Sequence, residues 1–355
     1  MEGERFTKSF YSGEENLLGK NRVTIRDVAA RAGVSHQTVS RVINDSERVR
    51  PQTRDQVMSA IADLGYHPNA LAQSMARGRS HTVACIAPNL TDYTFAGLIS
   101  GAEIEARQQG YFWLSASASD SETFAELVTE LVTSRRAEGL MVINPYADDR
   151  HHHLPQDFPL AFAGARPREG DTNSVALDDV AAACEATKHL LDLGHRQIGM
   201  ITGPLAEDAG QDRCQGYEQA LHEANIEPSA ELIIEGNWLA QSGHDAFMQL
   251  AQAGELPSAI FAQNDLMAAG ILRAARDLGL EIPANLSVIG VDDIPLAAFF
   301  EPPLTTIGQD FRFIGREAAR LLIRSIEQPD APRRHLRMPV ELVVRRSTAA
   351  YGNKN

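Results

Sequence analysis

An imidazole, a carboxamide and a guanidinium stand at His36, Gln37 and Arg41, inside the stretch VSHQTVSRVIND from Val34 to Asp45. Gln37 suits a bidentate pair with adenine N6 and N7, and Arg41, one helical turn on, suits guanine O6 and N7. His36 can donate or accept at a base edge. Thr38, Ser40 and Asn44 suit phosphate oxygens, which fix a protein on a duplex without specifying sequence. Thr24 and Ser35, at the N-termini of two successive helical patterns, join that set. The competing reading is a small helical bundle whose polar face meets water, so the elements around these residues must decide.

Those elements are legible. Thr24 is followed three residues later by Asp27, a capping box with Asp in place of Glu, and Ile25, Val28 and Ala29 then recur at helical spacing. Gly33 breaks this helix and Ser35 can cap the next after a short turn. Val34, Val39 and Val42 would seal the two helices together. A third helix has Pro51 in its first turn, Val57, Ile61 and Leu64 inward, and Gly65 at its end. The pattern predicts a helix-turn-helix with a supporting helix, a unit whose second helix lies in the major groove.

Charge agrees with this. The chain carries a net charge of −14 over 355 residues, yet Lys20 to Ser80 alone hold a local balance of +5, against −17 from His81 onward and −2 in the first 19 residues. A basic module joined to an acidic body fits a polyanion binder carrying a second domain. Hydrophobic content of 43% supports a large core, and no run approaches the ~18 apolar residues that a membrane helix needs. Cys85, Cys184 and Cys214 are too sparse for a disulfide frame or a CxxC metal site, and MEGERFTKSFYSGEENLLGK lacks the apolar stretch of a secretory leader. A cytoplasmic location is expected. Three consecutive histidines in RHHHLP (150–155) cannot converge on one ion from a regular element and read as a solvated loop, so no metal is expected.

From His81 the apolar runs TVACIAP, YFWLSAS, GLMVINP and PLAFAGA alternate with helical patterns, and a second series with QIGMITGP, SAIFAQND and SVIGVDD begins near Asp178. Strands spaced by helices predict α/β architecture with two parallel sheets. Ligand sites in such sheets lie at the carboxyl ends of strands. Asn89, Tyr93 and Phe95, just after the first strand, are therefore expected to face an interlobe cleft. No G-x-G-x-x-G or P-loop follows a strand, and no G-x-S-x-G or H-E-x-x-H is present. Neither a nucleotide cofactor nor an enzyme is expected. Asp292 and Asp293 are adjacent in sequence and poorly placed to face one substrate as a catalytic pair.

TIRDVAARAGVSHQTVSRVIND with VRPQTRDQVMSAIADLGYHPNALAQSMARGRS resembles the LacI/GalR family of bacterial transcription regulators along its DNA-binding segment. GHRQIGMITGP, DRCQGYEQAL, NDLMAAGILRAARDLGLEIPANLSVIGVDD and PPLTTIGQDF resemble the same family's effector domain, which has the fold of periplasmic sugar-binding proteins. The resemblance spans about residues 22 to 348. It implies that His36, Gln37 and Arg41 read bases. It also implies that 68–80 is a hinge helix ordered on DNA, where Asn69 and Ala72 sit at the minor groove and Met75 is an apolar wedge. Such a wedge trades unstacking for bent DNA.

For the ligand, the resemblance implies that Arg213 binds hydroxyls or carboxylates, that Asn264 and Asp292 take hydrogen bonds from sugar hydroxyls and that Trp238 stacks on an apolar sugar face. Gln309, at a crossover between lobes, joins these ligand candidates. Internal alternatives stand beside these roles. Arg213 could pair with Asp292, Phe95 and Trp238 could be core, and Asp265 is read as a helix cap. One departure is visible: PLAFAGARP places Ala165 where the family often has Asp, before Arg166. Arg166 is therefore expected to add positive charge to the cleft, which would suit a sugar acid, a phosphorylated sugar or an oligosaccharide.

The expected organisation is a flexible tail at 1–21, a helix-turn-helix domain at 22–67, the hinge at 68–80, a two-lobed domain at 81–348 and a tail at 349–355. Its N-lobe is expected at about 81–178 and 310–338, and its C-lobe at about 179–309 and 339–348. No leucine heptads follow that core, so a C-terminal coiled coil is not expected. The expected function is a repressor that binds a palindromic double-stranded operator as a homodimer and is controlled by a sugar-like effector. A corepressor, small molecule or protein, that strengthens DNA binding is the alternative. A transport protein would share the large domain without the helix-turn-helix.

Overall fold

A computed structural model of the chain describes residues 23–44, 48–67, 78–143, 148–167, 172–254 and 256–352. The first tail and the hinge residues Asn69, Ala72 and Met75 lie outside the described residues. The chain divides into two compact units between Ser80 and His81, and each is described by itself.

In the first unit, α1 (Ile25–Ala32) begins at Thr24, whose backbone N–H and hydroxyl both donate to the Asp27 carboxylate at 2.7 Å. Those two bonds hold the Asp27 carboxyl below the usual carboxylate range. Gly33 ends the helix in the left-handed region at φ 67°, a conformation that glycine adopts without strain. Ser35 then caps α2 (His36–Ile43), its hydroxyl accepting from the Thr38 N–H at 3.1 Å. α3 (Pro51–Leu64) opens on Pro51 and stops at Gly65. Val28, Val39, Val42 and Val57 form the fully shielded centre, with Val34, Ile61 and Leu64 packed on it. Burying each of these aliphatic side chains stabilises the unit by about 1.5–3 kcal/mol.

The second unit holds two six-stranded sheets. The first is built by β1 (Thr82–Ala87), α4 (Tyr93–Gln108), β2 (Phe112–Ser117), α5 (Ser121–Val128), β3 (Gly139–Val142), β4 (Leu160–Ala163) and β5 (Asn173–Leu177). The chain then enters the second sheet through α6 (Asp179–Asp192), β6 (Ile198–Thr202), α7 (Asp208–Glu223), β7 (Ile233–Glu235), α8 (Ala240–Ala253), β8 (Ala259–Ala262), α9 (Asp265–Asp277), β9 (Ser287–Asp292) and β10 (Thr305–Gly308). It returns with α10 (Phe311–Glu327) and β11 (His335–Met338) to the first sheet, and ends with β12 (Glu341–Val343) in the second.

The sheet orders are β11-β5-β4-β3-β1-β2 and β12-β10-β9-β8-β6-β7, and every pairing is parallel except β10 with β12. The central strands β1, β3, β6 and β9 are buried at every position but Thr82 and are mostly apolar, as strands of sheets covered on two faces are. α10 approaches α4 so closely that a Cβ on Gly101 or Gly315 would collide with backbone of the partner helix. The segment around RHHHLP, expected as a solvated loop, contains a short 3-10 turn, Asp149–His153.

Candidate DNA interface and effector cleft

On α2, Val39 and Val42 face the core while His36, Gln37 and Arg41 are exposed. Thr38, Ser40 and Asn44 lie half-buried at the edge of that face. The Asn44 amide donates to the Ser40 hydroxyl at 3.4 Å, and Ser35 and Thr38 share a hydroxyl contact at 2.9 Å. Gln37 and Arg41 are four residues apart and so lie on one face one turn apart. Ser35 spends its hydroxyl on the cap of α2.

In the second unit a cavity of about 100 Å³ lies between the lobes. Phe95 and Asp92 from the start of α4, and Phe311 from the start of α10, line it on one side. Glu207, Arg213, Trp238, Asn264, Asp292 and Gln309 line it from strand ends and helix starts of the other sheet, with Asp179 at the first crossover. Of the expected ligand residues, Phe95, Arg213, Trp238, Asn264, Asp292 and Gln309 are therefore brought together.

Asn89, Tyr93 and Arg166 are not among the residues lining this cavity. Asn89 is exposed and its side chain closes a turn, accepting from the N–H groups of Thr91 and Asp92. Tyr93 is half exposed and meets Phe311 edge-on at 6.1 Å between centroids. Arg166 reaches from the β4–β5 connection to the other lobe, where it makes a two-pronged contact with Asp212 on α7 and lies 3.8 Å from Asp208. This differs from the expected role, because Asp212 neutralises the charge that Arg166 was expected to add to the cleft. A larger space of about 720 Å³ lies beyond Arg166, bordered by α6, α7 and β11. The smaller cavity is the one that gathers aromatic faces with convergent polar groups, as ligand sites do.

Arg213 is 5% exposed and donates through Nε to Asp179 at 2.8 Å and through Nη1 to the Gln263 carbonyl. Its Nη2 lies 3.9 Å from Asp292, so Asp179 and not Asp292 is its nearer carboxylate. Burial disfavours the guanidinium charge, but Asp179 and Asp292 outweigh that and raise its pKa. Burial likewise pushes up the carboxyls of Asp179, Asp292 and Glu207, only partly opposed by Arg213. Gln309 donates to Asp292 at 2.9 Å and steadies it at the end of β9.

Trp238 is seated by its neighbours. Its indole N–H donates to Glu207 at 2.8 Å, its carbonyl accepts from the Asn264 amide at 3.0 Å, and the Arg213 guanidinium carbon lies 5.6 Å from the ring centroid. The ring occupies the space that a Cβ on Gly203 would need. Trp238 has φ 70° and Asp292 φ 119°, left-handed conformations that cost about 1–3 kcal/mol and cluster at functional sites. Asn264 caps α9, accepting from the Met267 N–H at 2.8 Å. This corrects the reading of Asp265 as the cap. Asp265 is buried instead between β9 and β10, accepting from the Ile294 N–H and the Thr306 hydroxyl.

Sequence reasoning missed Asp92, Asp179, Glu207 and Phe311. Asp179 stands two residues past the end of β5, so the strand-end rule that selected Asn264 applies to it equally. Its strand, NSVAL, is short and opens on two polar residues, so it does not stand out as an apolar run.

A three-helix unit with an exposed polar recognition face, joined to a two-lobed α/β unit with a lined cleft, defines a ligand-responsive DNA-binding regulator. Comparison with known proteins agrees. Residues 24–69 match the family described as bacterial regulatory proteins, lacI family, and residues 187–348 match a periplasmic binding protein-like domain. The chain is 33% identical over 332 residues to the HTH-type transcriptional repressor CytR of Escherichia coli (strain K12), covering 92% of this chain and 96% of that one. It superimposes on the lac repressor dimer bound to operator and the anti-inducer ONPF with a TM-score of 0.84 and 33% identity, over 93% of this chain and all of the other. A complex of the transcriptional regulator CelR with cellobiose gives a TM-score of 0.70 at 31% identity, over 92% and 100% of the two chains. The chain belongs to the lacI family of bacterial regulatory proteins. Among the described residues no helix is long and apolar enough to cross a membrane.

Proposed function

We propose that this protein represses transcription by binding a palindromic operator as a homodimer, and that a small carbohydrate-like effector in the interlobe cleft controls that binding. His36, Gln37 and Arg41 read bases; Thr24, Ser35, Thr38, Ser40 and Asn44 meet the backbone; Asn69, Ala72 and Met75 belong to a hinge at the minor groove. The effector contacts Phe95, Arg213, Trp238, Asn264, Asp292 and Gln309. The observation that carries this reading is a cavity walled by both lobes, with an aromatic face and amide, guanidinium and carboxylate groups converging on it. A ligand touching both lobes has different contacts in their different arrangements, which is what lets it shift an equilibrium.

The CelR complex holds cellobiose and the lac repressor dimer holds operator, and both support transfer of these roles. Self-association is favoured by Phe112 on the edge strand β2, 70% exposed, and Phe299, 84% exposed, since two-fold protein symmetry suits a palindromic site. The action is binding without turnover, in the cytoplasm: Asp293 is drawn to Arg345 at 2.6 Å while Asp292 lines the cavity, so the two do not serve one substrate as a pair.

Selection of binding sites from random duplexes tests the first part, with a palindrome expected. Release of that duplex by a member of a sugar panel tests the second. Tighter binding on ligand addition would assign the corepressor sign instead.

A further inference from the structure

Charge in the cleft is lopsided. Asp92, Asp179, Glu207 and Asp292 all line the cavity, whereas among the described residues Arg213 is the single cationic side chain that does so. Arg213 is already committed, bonded to Asp179 and to the Gln263 carbonyl. The other arginine near the cleft, Arg166, is held by Asp212. Asp92 spends part of its charge capping α4, through the N–H groups of Thr94 and Phe95. Asp179, Glu207 and Asp292 are buried or nearly so, where solvent screens little.

We infer that the cleft excludes anions and selects an uncharged or positively charged effector, rich in hydroxyl or amino donors, over a phosphate ester or a carboxylate. This rests on the cleft being the effector site, and it narrows the class of compound that the site takes. An incoming anion would meet three carboxylates with one guanidinium already shared between two of them. Donors on an uncharged ligand meet acceptors, and a cation favours the charged form of carboxyls that burial pushes up. Glu207 is the first specificity-determining residue, because it accepts from the neutral Trp238 indole N–H while Asp179 and Asp292 share the Arg213 guanidinium; Asp179 is the second.

The test needs no identified ligand. The chain has two tryptophans, Trp113 and Trp238, so Trp113→Phe leaves Trp238 as a reporter inside the cleft. Quenching of that variant by acrylamide, caesium and iodide is measured at constant ionic strength near pH 8, each normalised to free N-acetyltryptophanamide. Caesium is expected to exceed iodide about threefold or more, since clefts of one sign concentrate counter-ions. Adding Glu207→Gln or Asp179→Asn should bring the ratio toward one; having both variants keeps the test open if one fails to fold. Iodide quenching equal to or above that of caesium overturns the inference. Failure of neutral acrylamide to reach Trp238 overturns instead the reading of the cleft as a ligand site, and the two failures are distinguishable.

Discussion

Arg166 and Asp212 tie the two lobes together beside the larger space next to the cleft, by a two-pronged guanidinium–carboxylate contact with Nε to Oδ2 at 2.9 Å. The next residue on α7, Arg213, turns to the cavity, so one helix turn carries both the interlobe tie and a cavity-lining group. Arg166 is partly exposed, which discounts the pair to about 1 kcal/mol. Arg166→Ala, Asp212→Ala and the double variant should give an interaction of that size in urea unfolding. Acrylamide should quench Trp238 more readily in each single variant. Additive losses with unchanged quenching would mean that the pair does not restrain the lobes.

Glycine at 203 is what lets the Trp238 ring lie where it does. Gly203→Ala should displace the indole, break its bond to Glu207 and weaken effector binding tenfold or more, roughly the 1.4 kcal/mol or greater of a lost stacking face. Operator binding without effector should persist. Titration calorimetry with the effector, beside an operator band shift, separates the two.

Burial pushes the Asp265 carboxyl up to about 7, against the bonds from Thr306 and Ile294 that favour its charge. In the unfolded chain it titrates near ~3.9. Its favourable contribution is thus complete below about pH 4 and is lost as pH rises toward 7, because only the unfolded state gives up the proton across that window. Wild type should lose stability relative to Asp265→Asn between pH 5 and 7, by up to about 1.4 kcal/mol per pH unit. Parallel urea midpoints for the two proteins across that range would contradict this.

Arg41 is exposed on the same face as Gln37, and in the proposed function its guanidinium reads guanine. Arg41→Ala should cost about 1–3 kcal/mol of discrimination at one position per half-site while leaving binding to random duplex nearly as salt-dependent as before. Affinity measured over a set of single-base operator variants reports this.

The first unit was legible because each of its signals is local. Thr24 with Asp27, Gly33, Ser35, Pro51 and Gly65 fix helix ends within a few residues of themselves, and the valines between them repeat at 3.6. The apolar runs of β1, β3, β6, β8 and β9 announced the two sheets for the same reason. β5, β7, β11 and β12 are short and mixed in polarity; their pairing is set by neighbours far away in sequence, such as Asn173–Leu177 beside His335–Met338. Direction was harder still. That Arg166 turns to Asp212 depends on how two lobes meet, and that Asp179 reaches Arg213 depends on how α6 packs against α7, neither of which a local spacing encodes.

The central claim is that a ligand in the cleft governs operator binding. It is tested most directly by following fluorescence anisotropy of a labelled operator while a compound that stabilises the protein thermally is titrated in, for wild type, Arg213→Ala and Trp238→Ala. Release from wild type and continued binding by both variants at the same concentration are expected. Release of all three at equal ligand, with both variants folded, would place control of the operator somewhere other than this cleft.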